Sequence, residues 1–323
     1  MSGLRRLWAQ DWTGLALVVA AAIVALALVR PAFLSALNIY VVLIGFSLSL
    51  LVSLSQMVII AIGQMNLSVG AIGGLVAIAF AGMMEVWGLP WPLAFVAGLA
   101  IGVVCGFVNG FVTVLTGISA FVITLATLSI YKGINLGITK AQPFYGVPQV
   151  VKDLGNESFL GGAVPYLLVP PVLIALAMGL LMRRTVFGRQ MLAVGGNAHA
   201  AELSGIDLRR TVVGAHVLSG VLAALAGMLA VARIQIGQPT IGDGWLIVSF
   251  AAPVLGGAVL TGGHVSVAGT CLGVLLVTLI TNALVLLEVD PFLVQLLLGL
   301  MILGAVWLNR YRDVRARRAP AVP

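Results

Sequence analysis

Long apolar runs, broken at intervals by short polar stretches, set the pattern of this chain. A helix needs about 20 predominantly apolar residues to cross the hydrocarbon core of a bilayer. Marked on that basis, ten runs are candidate spans: Gly14–Val29, Ile39–Ile62, Val69–Trp87, Leu93–Leu115, Ile118–Leu136, Val164–Met182, Val212–Ile236, Trp245–Leu260, Val265–Leu287 and Phe292–Leu308. The eighth is interrupted by Pro253 and by Gly256-Gly257, residues that remove a helical hydrogen bond or loosen the backbone. The pattern predicts an all-α integral membrane protein of about ten transmembrane helices over residues 13–309. The flanks are 1–12 and a basic tail, 310–323.

The polar breaks are more informative than the runs. Residues 183–210 read RRTVFGRQMLAVGGNAHAAELSGIDLRR. Within them Asn197 is a good N-cap, because its side-chain oxygen can accept an unpaired backbone N–H. Ala198–Ser204 are good helix formers, and Gly205 can take the left-handed conformation that closes a helix. A short capped helix just outside a membrane suits a docking surface better than a plain connector. A second break, Gly63-Gln64-Met65-Asn66-Leu67-Ser68-Val69-Gly70, puts two amides, a hydroxyl and glycines into apolar sequence. Each unpaired polar group costs several kcal/mol in hydrocarbon, so a lipid-facing helix would not carry them. Two accounts stay open: a tight turn in which Asn66 or Ser68 caps the third span, or a broken helix whose amides face a polar pathway. Between spans five and six, residues 138–163 form the longest external segment, an ordered surface loop or a short interfacial helix.

Composition removes the soluble alternative. The chain has 323 residues, 61% hydrophobic and 8% charged, with a mean hydropathy of +1.16. A soluble domain carries roughly 25% charged residues. The N-terminal region lacks the small-residue cleavage site of a signal peptide, so an uncleaved first span is expected. The net charge of +7 does not point to nucleic acid, because the basic residues flank the spans. Arg5, Arg6, Arg183, Arg184, Arg189, Arg209, Arg210, Arg310, Arg312, Arg315, Arg317 and Arg318 fall on one side. Arg30, Lys132, Lys140, Lys152 and Arg233 fall on the other. By the positive-inside rule both termini are cytoplasmic. The lone cysteines, Cys105 and Cys271, sit in apolar runs and read as packing residues.

Neutral polar side chains recur within the spans: Gln56, Asn109, Thr113, Thr124, Thr127, Ser129, Asn282 and Gln295. Singly, each suits an interhelical hydrogen bond; together with Gln64, Asn66 and Ser68 they suit passage of an uncharged, hydroxyl-rich solute. All ten acidic residues read as lying in or beside loops, which disfavours an ion-coupled secondary carrier for a neutral polar solute. Glycines at Gly102, Gly106 and Gly110 predict very close helix packing. No Gly-Lys-Ser/Thr follows AVGGN, so no phosphate loop is present, and His199, His216 and His264 form no metal-ligand pattern. No catalytic constellation is legible.

Four blocks in order carry a resemblance: GQMNLSVG (63–70), GFVNGFVTVLTGISAFVITLATLSIYKG (106–133), TVFGRQMLAVGGNAHAAELSGI (185–206) and VLGGAVLTGGHVSVAGT (254–270), with Asn282 and Pro291-Phe292 beyond. The chain resembles the permease subunits of ribose-type ABC importers for simple sugars, from about Asn38 to Asn309. It departs at Asn66, where the family usually has Asp, at Leu246 and Val248, often acidic in the family, and at His264, where Arg is common. The resemblance implies a second permease subunit, a periplasmic solute-binding protein, and a cytoplasmic ABC ATPase that binds ATP and magnesium. No cofactor is expected in this chain, which would sit in a bacterial inner membrane. A path would involve Gln56, Gln64, Asn66, Ser68, Asn109, Thr124, Thr127 and Asn282. ATPase docking would fall to Gly196, Asn197, Ala200, Ala201, Glu202, Gly205 and Ile206 on a coupling helix.

Overall fold

The computed structural model describes residues 12–159 and 161–290, with positions 293, 296, 299–300 and 303–304. The run Phe292–Leu308, Gln295, Arg5, Arg6 and the basic tail fall largely or wholly outside the described residues. Twelve α-helices follow one another among those described: α1 (Thr13–Val29), α2 (Ala36–Ala61), α3 (Val69–Glu85), α4 (Trp91–Thr116), α5 (Ala120–Thr139), α6 (Gln149–Asn156), α7 (Val169–Arg184), α8 (Val186–Gly196), α9 (Ala198–Leu203), α10 (Leu208–Ile234), α11 (Trp245–Leu255) and α12 (Val267–Leu286). Six are long and apolar enough to cross a membrane: α2, α4, α5, α7 with its leading 3-10 turn, α10 and α12. Helices α1, α3 and α11 are apolar but shorter. Among the described residues the ten expected spans are represented by six full-length spans and three shorter apolar helices, and the tenth run, Phe292–Leu308, lies largely outside them.

Two differences from the sequence reading have clear causes. The run from Val164 begins as a two-residue strand, Val164–Pro165, paired antiparallel with Ser158–Phe159, so the helix starts only at Val169. Pro165, Pro170 and Pro171 hold the backbone out of a helix until the first turn of α7, where a missing N–H costs nothing. The eighth run stops at Leu255: Gly256 ends α11 and Gly257 takes a left-handed φ of 89°. Residues 138–163, expected to be external, hold α6, an amphipathic helix that packs against the end of α10, with Gly155 lying on the Ala232 carbonyl.

α10 is the axis of the bundle, packed along α4, α2 and α3. Small residues allow this. A Cβ on Gly106 would lie 2.8 Å from the Val217 Cα, and one on Gly110 equally close to the Val213 Cα. The predicted glycine stripe of α4 is therefore a seam where two backbones touch, which adds dispersion without any side-chain entropy cost. Helix starts near the arginine-rich end are capped as their sequences require: Thr185 accepts from Gly188 N–H (3.0 Å), Asp207 from Arg210 N–H (3.0 Å) and Ser266 from Gly269 N–H (3.0 Å).

Two connections do not stay at the ends of the bundle. Residues 62–68 run from the end of α2 to α3, with Asn66 and Ser68 fully buried. Residues 235–244 leave α10 in a left-handed Gln235 (φ 63°) and descend beside α3. Gly237 pairs with Phe144 in a β-bridge and faces Ala81; Ile241 lies against Gly74, and Gly242 against Gly70. The descent explains why α11 has only 11 residues: it begins well inside the bundle.

A polar network at two breaks in the helices

The coil 62–68 is held by side chains from four helices. Asn66 Oδ1 accepts from the Ser68 N–H (2.9 Å) and hydroxyl (2.7 Å), and Asn66 Nδ2 donates to Ser219 Oγ of α10 (3.2 Å). Ser55 of α2 donates to the Ser219 carbonyl (2.9 Å). Asn109 of α4 donates to Ser68 Oγ (2.8 Å), and its own oxygen accepts from Tyr131 of α5 (3.3 Å). Thr124 of α5 accepts from the Leu67 N–H (3.0 Å) and donates within its helix to Ala120 (2.7 Å). With its amide turned so that nitrogen faces the Asn66 carbonyl (2.9 Å), Gln56 also accepts from the Asn66 N–H (3.2 Å). The backbone N–H groups of Asn66, Leu67 and Ser68, freed by breaking the helix, are thereby answered.

The open alternatives for this stretch resolve in part. Ser68 makes no side-chain cap for α3; Asn66 instead folds back on Ser68 in an Asx turn. Of the expected path residues, Gln56, Asn66, Ser68, Asn109 and Thr124 meet in one network, with Thr127 one turn along α5. Gln64 lies at its edge, 2.9 Å from His216 Nε2, and lines a cleft of about 530 Å³ between the α4–α5 turn and Met65. Asn282 is elsewhere: it exchanges two hydrogen bonds with Asn38 (2.8 and 3.1 Å), joining α12 to α2. Ser55, Ser219, Tyr131 and His216 complete the network and were not singled out as site residues, because they come from distant turns of otherwise apolar helices.

Charge also enters the bundle. The sequence reading counts Lys132, near the end of the fifth run, with the external charges and places Asp243 in the loop after the seventh run. In the structure α5 continues to Thr139, so Lys132 sits about 10 Å inside its end at 1.5 Å per residue. Asp243, carried down by the coil, pairs with it at 2.8 Å. A single charge at the bilayer centre costs about 2.5–3.5 kcal/mol on insertion scales, which favours pairing of opposite charges within a span. The pair stands at the mouth of a small cavity that also includes Asn135, Leu128 and Leu246.

At the arginine-rich end, Asn197 accepts from the Ala200 N–H (2.9 Å) and Gly205 takes a φ of 83°, so α9 is capped at both ends as its sequence predicts. Of its residues only Ala201 is buried; Leu203 is 77% exposed. One helix was not foreseen: α8, started by Thr185 and ending at Gly196, precedes α9 directly. Gly195 lies on the Ala61 carbonyl, at the end of α2, and against Gly263. Gly263 N–H donates to the same Ala61 carbonyl (3.1 Å). Gly63 in turn packs on the Thr261 carbonyl, 2.7 Å from where its Cβ would be. The glycines of AVGGN and LTGGH thus serve a three-way backbone junction at which α8, α2 and the loop before α12 meet, and from which the coil 62–68 departs.

The family described as branched-chain amino acid transport system / permease component matches residues 38–306. A ribose import permease protein of Bacillus subtilis (strain 168) is 36% identical over 293 residues, 90% of each chain. An L-arabinose transport system permease protein of Escherichia coli (strain K12) is 33% identical, over 97% of this chain and 94% of its own. A D-allose transport system permease protein of the same organism is 31% identical, over 86% and 85%. No solved structure gives a significant match.

Proposed function

The chain belongs to the branched-chain amino acid transport system / permease component family, a multi-pass membrane family, and from that premise we propose that it is the membrane subunit of an ATP-driven importer for a monosaccharide or related polyol. Its sequence relatives are named for ribose, arabinose and allose, which motivates the solute class. A second permease subunit completes the path. A periplasmic solute-binding protein delivers to the face carrying residues 138–163. A cytoplasmic ABC ATPase, which binds ATP and magnesium, docks at the arginine-rich end, so that both termini are cytoplasmic in a bacterial inner membrane.

The observation that carries this reading is α9. It is a rigid six-residue helix, capped at both ends, exposed on its outer side and fixed to the bundle through Gly195 and Gly196. Gly196, Asn197, Ala200, Ala201, Glu202, Gly205 and Ile206 form the docking element. A push on α9 reaches the Gly195–Ala61–Gly263 junction and hence the coil 62–68. There Gln56, Asn66, Ser68, Asn109, Thr124 and Thr127 hold the backbone in one arrangement, and Gln64 faces the open cleft. A helix broken inside the bundle and lined by amides and hydroxyls suits alternating access. Asn282 belongs to a separate seam and takes no part.

Cysteine crosslinking tests the docking. Glu202→Cys and Ile206→Cys should each form a crosslink to the ATPase subunit in at least one nucleotide state, and silence from both in every state refutes it. Reconstitution tests the energy source. Sugar uptake should require ATP and the ATPase; uptake by this chain alone, driven by an ion gradient, makes it a secondary carrier instead.

A further inference from the structure

The Lys132–Asp243 pair is 44% and 48% exposed on the isolated chain, at a depth where lipid would otherwise touch it. Charged groups at that depth face a bundle interior or a water-filled cavity rather than hydrocarbon. The surface made by α5 and the coil 235–244 is accordingly turned away from lipid. The cavity beside the pair measures about 110 Å³, room for about three or four waters at roughly 30 Å³ each. Asn135 lines it and is only 3% exposed. Its Nδ2 donates to the Pro239 carbonyl (3.1 Å), while its Oδ1 has no partner. That oxygen is fully enclosed, so the polar groups that the cavity presents are those of the ion pair.

We propose that this cavity is a binding subsite for vicinal hydroxyl groups of a neutral polyhydroxylated solute, with the Asp243 carboxylate accepting and the Lys132 ammonium donating. The balance of charge selects neutrality: a cation meets Lys132 and an anion meets Asp243. Leu67, Leu128 and Leu246 give the apolar wall on which the C–H face of a sugar can lie. The subsite deepens the importer reading by giving the solute a place on the path, and it rests on that reading for the solute class.

The test uses the full chain in lipid nanodiscs with D-ribose, L-arabinose, D-allose and D-xylose as probes. Leu128→Cys, within the cavity, should react with a water-soluble methanethiosulfonate reagent. At least one of the four sugars at tens of millimolar should slow that reaction about fivefold or more. Ile130→Cys, exposed on the other side of α5, serves as the control and should show no sugar protection. Asp243→Asn in the Leu128→Cys background should raise the protecting concentration about tenfold. Exchanging the charges, Lys132→Asp with Asp243→Lys, restores an ion pair but should not restore protection. Absence of labelling at Leu128→Cys, labelling indifferent to all four sugars, or full protection in the charge-exchanged chain each overturns the subsite. Protection without ATP-driven uptake leaves the subsite standing and removes the importer reading.

Discussion

Gly242 is the position where the two broken connections depend most directly on one residue. Its φ of +93° lies in the region that favours glycine, and a methyl group there would run into the Gly70 carbonyl oxygen. Gly242→Ala therefore combines two penalties. Forcing an L-residue into that backbone region costs about 1–2 kcal/mol, and overpacking a tight seam adds about 1–3 kcal/mol. The expected loss is about 2–5 kcal/mol, or a fall in Tm on the order of 5–15 °C. Gly70→Ala meets the Gly242 carbonyl from the helical side without the backbone penalty and should lose only about 1–3 kcal/mol. Gly244→Ala, two residues on, has nothing within 4 Å of the added carbon and an ordinary φ of −92°, so it should stay within about 0.5 kcal/mol of the parent. Thermal unfolding of the three purified variants in one detergent gives the ranking. If Gly242→Ala melts together with Gly244→Ala, the close crossing of coil and helix is wrong.

Other substitutions probe the remaining links. Asn66→Leu strips the acceptor from both Ser68 donors and should destabilise by about 2–4 kcal/mol, with ATP-driven uptake lost; a melt within 1 °C of the parent, on the scale of about 2–4 °C per kcal/mol, would falsify the brace. Asn197→Ala removes the cap of α9 and should weaken ATPase capture while costing the fold only about 1 kcal/mol; unchanged capture shows that the helix need not be preformed. Gly137→Ala, in helix α5 with open space around it, should stabilise by about 0.5–1 kcal/mol in the same melting assay, and a loss would reveal a neighbour at that face.

The residues that were legible in the sequence are those whose signal is local. Asn197 and Gly205 announce α9 because capping is decided within one turn, and the Gly102, Gly106, Gly110 spacing announces a close seam because it repeats at the helical period. Pro253 and Gly256-Gly257 likewise mark where α11 stops. What stayed hidden depends on contacts between distant segments. Nothing near Gln64 indicates His216, and nothing near AVGGN indicates that its glycine rests against that of LTGGH. Asp243 reads as a loop residue and Lys132 as an external charge at the end of a span; only the descent of the coil along α3 brings them together. Ser68 and Asn66 read equally well as caps of α3, yet Asn109 and Ser219, from other helices, draw both side chains into the network instead.

The 27 residues of α10 make a rod about 40 Å long at 1.5 Å per residue. Its first turn follows α9 by four residues, and its last turn hands the chain to Gln235 and the descending coil. A tilt of about 5° pivoting on the α9 end sweeps the far end through about 3.5 Å, close to the spacing of successive residues in extended chain. Such a swing would carry the start of the coil sideways by that distance, across a groove in which Gly237 lies against Ala81, Ile241 against Gly74 and Gly242 against Gly70. With backbone set against backbone in that groove, a rotation of this size requires the coil to lift away from α3.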